Sequence, residues 1–367
     1  MNPLHTLLEQ GQSIWYDFIS RDFISSGGMK KLVDQGLRGM TSNPTIFEKA
    51  IAKGDAYDAQ IQELDGAGLS TAEIATALFV RDIRSACDVM RPVYDSAGGS
   101  DGFISIEVSP LLAANTDETI AEARRLWKEI DRPNLMIKIP ATPEGYPAVQ
   151  RVIADGINVN ITLMFSLDQY RAVAEAYLAG LEERAAEGKD ISGINSVASV
   201  FVSRIDAMID EMLEKTGTPE ARELMGKGAL ANTKLTYQEF KRIFSGPRWE
   251  TLAAKGARLQ RPLWASTSTK NPAYPDLLYV DNLIGPDTVN TVPPETLEAI
   301  MDHAVIAPTV ETDIDEARRT MEQLAEAGID IDAVMDRLIE EGVSKFAKSF
   351  DSLFEKLEEK RKALAAT

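Results

Sequence analysis

Short apolar or alternating runs recur along this chain, each followed by a longer amphipathic stretch, and that order constrains the fold more than any other feature. The candidate strands are residues 14–18, 39–43, 104–108, 135–140, 157–163, 196–202, 262–266 and 277–280. Between them lie helical patterns over residues 71–94, 117–129, 166–184 and 202–215. A strand followed by a crossover helix and a further strand gives parallel pairing. About eight such units in 367 residues predict a (β/α)8 TIM barrel, with a doubly wound open sheet as the alternative. Neither a Gly-x-Gly-x-x-Gly fingerprint after the first strand nor a P-loop is present, and both absences favour the barrel.

Beyond Val280, residues 281–294 are rich in Gly, Pro, Asn and Thr and read as a loop. From about residue 295 the pattern is mostly helical, and residues 345–362 are charged and amphipathic, as in a helix that crosses the domain or meets another subunit. No linker marks a second unit, so residues 1–367 are expected to form a single barrel domain with a helical C-terminal extension. The chain has 39 basic and 57 acidic residues, a formal charge of −18, which argues against nucleic acid or anionic membranes as partners. The first 12 residues lack a basic stretch leading into an apolar one, and no segment reaches the roughly 20 apolar residues of a membrane span, so a cytoplasmic location is expected. The single cysteine, Cys87, excludes an intrachain disulfide and a multi-cysteine zinc site, and its helical setting indicates a packed thiol. His5 and His303 are the only histidines, and neither has the setting of a catalytic base. Acid–base chemistry then falls to carboxylates, lysine, tyrosine or water.

Within the run Leu135-Met136-Ile137-Lys138-Ile139-Pro140 stands one charged residue, Lys138. Strands of parallel sheets are covered on both faces, and lysine is seldom fully buried. Such a lysine can snorkel to water or pair with a carboxylate. Stripped of water, its amine can also serve as a Schiff-base nucleophile towards a carbonyl. Side chains two apart share a face of a strand. Met136 and Lys138 therefore oppose Leu135, Ile137 and Ile139; Ser105 and Glu107 oppose Ile104, Ile106 and Val108; Asn158, Asn160 and Thr162 oppose Ile157, Val159, Ile161 and Leu163. Asp17 likewise alternates with Tyr16 and Phe18, and Thr41 and Asn43 oppose Met40. In a barrel the apolar faces would meet the outer helices, and the polar ones would converge at the C-terminal mouth, where such folds keep their chemistry. A Schiff-base lysine needs a proton shuttle to expel water from the carbinolamine, and a second group to move a proton when the carbon–carbon bond breaks. Glu107 and Asp17 suit these tasks, Thr162 can hold a water near Glu107, and Asn43 and Asn160 can bind sugar hydroxyls.

These residues lie in motifs that resemble the transaldolase family in order: Asp17, Thr41-Ser42-Asn43-Pro44, Ile104-Ser105-Ile106-Glu107-Val108, Ile137-Lys138-Ile139-Pro140-Ala141-Thr142, residues 156–166 and residues 196–204. Trp264-Ala265-Ser266-Thr267-Ser268-Thr269-Lys270-Asn271-Pro272 and Val289-Asn290-Thr291-Val292-Pro293 are similar to the longer bacterial branch, a type sometimes fused to glucose-6-phosphate isomerase; a free-standing enzyme is expected here. The resemblance implies a (β/α)8 barrel and a class I transfer of a dihydroxyacetone unit between sugar phosphates, with no metal or other cofactor. It implies Lys138 as the Schiff-base lysine, Asp17 as acid/base in bond cleavage, and Glu107 with Thr162 as a pair acting through water. Asn43, Asn160, Ser199 and Phe201 fall on substrate-contacting positions, and Arg204 on a phosphate-binding arginine.

Many relatives carry a second arginine soon after the Ala-Ser of the seventh strand, whereas this chain reads Ser266-Thr267-Ser268-Thr269-Lys270. Lys270 either supplies a point charge there, with Ser266 and Ser268 as hydrogen-bond donors, or is an ordinary loop cation. Two other functions stay open at this point: a fructose-6-phosphate aldolase type of class I enzyme, and a non-catalytic sugar-phosphate-binding barrel. Sugar phosphates are the expected partners, and a homo-oligomer is left open.

Overall fold

The computed structural model describes residues 2–52 and 54–365. Eight parallel strands close into a barrel in sequence order: β1 Gln12–Tyr16, β2 Gly39–Thr41, β3 Phe103–Glu107, β4 Leu135–Pro140, β5 Val159–Met164, β6 Ser196–Phe201, β7 Gln260–Ala265 and β8 Thr288–Val292. Closure is made by β1 on β8, in register from Gln12 opposite Thr288 to Tyr16 opposite Val292. The fold is therefore a (β/α)8 barrel with additional C-terminal helices, as expected.

Local chemistry sets the helix limits. Ser70 and Glu73 form a reciprocal capping box that starts the helix Thr71–Ser96, and Ser166 with Gln169 does the same for Leu167–Ala186. Gly156, at φ +93°, stops the helix Gly145–Asp155 in a left-handed conformation that costs glycine little. Leu135, Ile137, Ile139, Val159 and Ile161 are fully buried, as strands covered by helices require. Cys87 is buried on the helix Thr71–Ser96, and burial pushes its thiol pKa far up.

One strand differs from expectation. The run 277–280 is not a strand; it opens the short helix Leu278–Asn282, and the eighth strand is Thr288–Val292, inside the segment read as a loop. Periodicity cannot separate a four-residue apolar run from a helical turn. The real β8 shows no clean apolar face because polar side chains stand on both faces beside the buried Val289 and Val292: Thr291 lines the barrel mouth, while Thr288 and Asn290 bond with Gln12 and Thr267.

Past β8 come the helices Pro294–His303, Ile314–Glu326 and Ile331–Ala365. The last is tied to the barrel by Thr45–Ser349 and Glu48–Ser352 hydrogen bonds and by ion pairs of Lys360 with Asp58 and Arg361 with Asp65. Among the described residues no helix is long and apolar enough to cross a membrane.

Candidate active site

A cavity of about 200 Å³ opens at the C-terminal ends of the strands, lined by Asp17, Asn43, Lys138, Asn160, Thr162, Ser199, Phe201, Arg204, Ser266 and Lys270. The expected site residues other than Glu107 thus line one cavity, and Glu107 contacts the lining residue Lys138. Lys138 is only 5% exposed. Its Nζ donates to the carbonyl oxygen of Ser42 at 3.0 Å and lies 3.6 Å from Glu107 Oε2. Strand register explains the meeting: Glu107 is level with Lys138 across β3 and β4, and Lys138 with Asn160 across β4 and β5.

The carboxylates are perturbed in the sense that burial dictates. Desolvation pushes Glu107 up to about 7, against the Lys138 charge, which pulls the other way. Asp17 is also raised, first by desolvation, with Lys138 and the Thr41 hydrogen bond opposing. Asp17 follows β1; its backbone N–H donates to Val292 O at 2.8 Å, and its Oδ1 accepts from Thr41 Oγ1 at 2.7 Å. Asn160 is held from both sides, accepting from Ser199 Oγ at 2.7 Å and donating to Ser105 Oγ at 3.1 Å. One of its amide hydrogens stays free for a ligand.

Two buried oxygens, Glu107 Oε2 and Thr162 Oγ1, have no hydrogen-bond partner among the described residues. Such atoms are normally satisfied by an ordered water or a ligand. Beside Thr162 the register slips, and Leu163 takes φ +57°. Ser266 takes φ +55° at the end of β7. Both are left-handed conformations rare in non-glycine residues, and both occur at the mouth, where backbone strain collects in functional sites.

Arg204, in the first turn of the helix Ser203–Thr216, has its guanidinium 5.0 Å from the Phe201 ring and 6.0 Å from that of Phe346. Burial lowers its pKa, with Glu107 and Asp17 opposing. No described residue pairs with it, so its fork is left for an anion from the cavity. Lys270 lies at the rim, where its Nζ donates to Ser268 Oγ at 2.7 Å; Ser266 and Ser203 share a hydrogen bond of 2.9 Å.

A family model described as Transaldolase/Fructose-6-phosphate aldolase matches residues 14–357. The chain belongs to the transaldolase family. It is 53% identical to a protein named Transaldolase 2 from a Nostoc species, over 100% of this chain and 99% of that one. It is 52% identical to a transaldolase of Trichodesmium erythraeum, over 99% and 98% of the two chains, and 50% identical to one of Thermobifida fusca, over 97% of each.

Within this transaldolase-family site, sequence reasoning passed over Thr291, Glu295 and Phe346 in the cavity wall, and the Ser42 carbonyl that accepts from Lys138. Thr291 and Glu295 were hidden by the misplaced eighth strand. A backbone carbonyl leaves no mark in sequence. Phe346 had one, the spacing Leu338, Gly342, Phe346 on the inner face of the last helix, where each is buried. Asn158 shares parity with Asn160 but serves structure, donating to the carbonyls of Pro133 and Leu135.

Proposed function

We propose that the protein is a class I transaldolase, a transferase that moves a dihydroxyacetone unit from a ketose phosphate to an aldose phosphate in the non-oxidative pentose phosphate pathway. Sedoheptulose 7-phosphate and fructose 6-phosphate are the donors of this reading, and glyceraldehyde 3-phosphate and erythrose 4-phosphate the acceptors. The carrying observation is the buried Lys138 amine at the mouth, 3.6 Å from a Glu107 carboxylate with a raised pKa.

The Lys138 amine attacks the donor ketone to form a carbinolamine, and loss of water gives the Schiff base. Glu107 supplies and removes the protons for that step through a water held by Thr162, which would satisfy both unpartnered oxygens. Asp17 takes the proton of the hydroxyl beyond the scissile carbon–carbon bond; the electrons of that bond pass to the iminium, leaving an enamine on Lys138 and releasing an aldose phosphate. The enamine then adds to the aldehyde of the acceptor, with Asp17 returning the proton. Asn43, Asn160 and Ser199 bind hydroxyls, Phe201 packs against the sugar, and Arg204 holds the phosphate, with Ser266 and Lys270 beside it.

A coupled assay on fructose 6-phosphate, with and without erythrose 4-phosphate, tests the reading. Transfer requires glyceraldehyde 3-phosphate to form only when the acceptor is present beyond a single turnover. Sustained release of free dihydroxyacetone without acceptor would instead make the protein a fructose-6-phosphate aldolase, the other activity in the family's description.

A further inference from the structure

In a chain of formal charge −18, three cations that form no ion pair among the described residues line one groove beside the barrel mouth: Arg204, Lys270 and Lys345. They line an outer groove of about 530 Å³ that shares Arg204 and Lys270 with the substrate cavity. The other charged groups of this groove are Glu211, Arg337 and Glu341. Glu211 pairs with Lys215 at 2.6 Å, and Glu341 pairs with Arg337 at 2.7 Å. Glu341 stands four residues before Lys345, the spacing at which a helical Glu ordinarily pairs with Lys. Here it turns back to Arg337, and among the described residues Lys345 has no ion pair.

We infer that Lys345, from the last helix, is a specificity-determining residue whose ammonium joins Arg204 and Lys270 in gripping the phosphate of the substrate. This rests on the proposed transaldolase function. Lys345 reaches this end of the site by lining the groove that it shares with Arg204 and Lys270, while the next residue, Phe346, turns into the cavity beside the Arg204 guanidinium. Gly342 seats the helix closely, since an added Cβ there would lie 2.9 Å from Leu163 Cδ2. The charges act on one another: desolvation lowers the Lys270 pKa first, the Glu295 and Asp17 carboxylates oppose that, and the nearby Arg204 and Lys345 charges lower it further. A phosphate dianion seated among them would gain a charge-assisted contact from each. Two lysines, one from the loop after β7 and one from the C-terminal helix, thus line the groove with Arg204.

The test compares Lys345→Ala and Lys345→Arg with wild type, at low and high salt. In Lys345→Ala, KM for fructose 6-phosphate is expected to rise roughly tenfold, with kcat changed by no more than about twofold, because a charged contact common to ground and transition states is lost. The preference for glyceraldehyde 3-phosphate over glyceraldehyde as acceptor should fall by a similar factor, Lys345→Arg should restore it, and the KM of Lys345→Ala should depend less on salt. Unchanged acceptor preference in Lys345→Ala would overturn the inference. Failure of wild type to trap a substrate on Lys138 would instead refute the Schiff-base reading. Titration with inorganic phosphate still decides the role of Lys345 in that case, since equal affinity in wild type and Lys345→Ala excludes it.

Discussion

Glu107 shows most directly how position makes chemistry from an ordinary side chain. On the surface it would titrate as any carboxyl; at the end of β3, with its side chain 4% exposed, desolvation carries it to about 7. A group that gives and takes protons near neutral pH is what carbinolamine dehydration needs. The pH profile of kcat/KM is expected to inflect near 7, and Glu107→Gln should abolish that inflection along with most of the activity. A profile unchanged in the variant would remove Glu107 from the proton path. At this scale the sequence was legible because parity is strict: Glu107, Lys138 and Asn160 could be placed on one face from spacing alone. Backbone contributions, such as the Ser42 carbonyl on Lys138, were not.

Among the elements, β4 and β5 carry Lys138 and Asn160, and the helices that follow them, Gly145–Asp155 and Leu167–Ala186, hold them in place by packing on each other. The close approach is at Gly180, where an added Cβ would lie 2.6 Å from the Gln150 carbonyl oxygen. Gly180→Ala gains about 1 kcal/mol in helix propensity, but overpacking against a backbone atom costs about 1–3 kcal/mol or more. A lower urea midpoint is expected, and an equal or higher one would show that this contact does not limit the packing. Strands with an apolar face were readable, whereas β8 was not, because its side chains bond to Gln12, Thr267 and Thr41 instead of forming a hydrophobic stripe. Hydropathy reports burial only where burial is apolar.

The whole molecule is acidic outside and cationic at one place on the barrel mouth, which favours anionic substrates entering there. Its stability should reflect buried carboxyls. Glu107 and Asp206 are both raised to about 7, chiefly by desolvation. Between their unfolded pKa values, near 4, and about 7 the native state holds protons that the unfolded chain has lost. Stability from these groups is therefore fully present at low pH and is lost as pH rises through 7. The melting temperature is expected to be higher at pH 6 than at pH 8, and Glu107→Gln should reduce that difference; a protein more stable at pH 8 would contradict it. Below about pH 4 the trend reverses, as carboxylates with lowered pKa, such as Glu239 paired with Arg171 and Arg242, become protonated. The barrel and its reactive end were legible from sequence at this scale, while the contribution of the last helix to the cavity depended on tertiary packing through Phe346.

Every step of the proposed reaction depends on a covalent Schiff base between Lys138 and the donor ketose. Borohydride reduction in the presence of fructose 6-phosphate, followed by peptide mass spectrometry, measures this directly. A reduced three-carbon or six-carbon adduct is expected on Lys138 and none in Lys138→Ala, whose turnover should fall by about three orders of magnitude or more. An unmodified Lys138 during turnover, or full activity in Lys138→Ala, would contradict it.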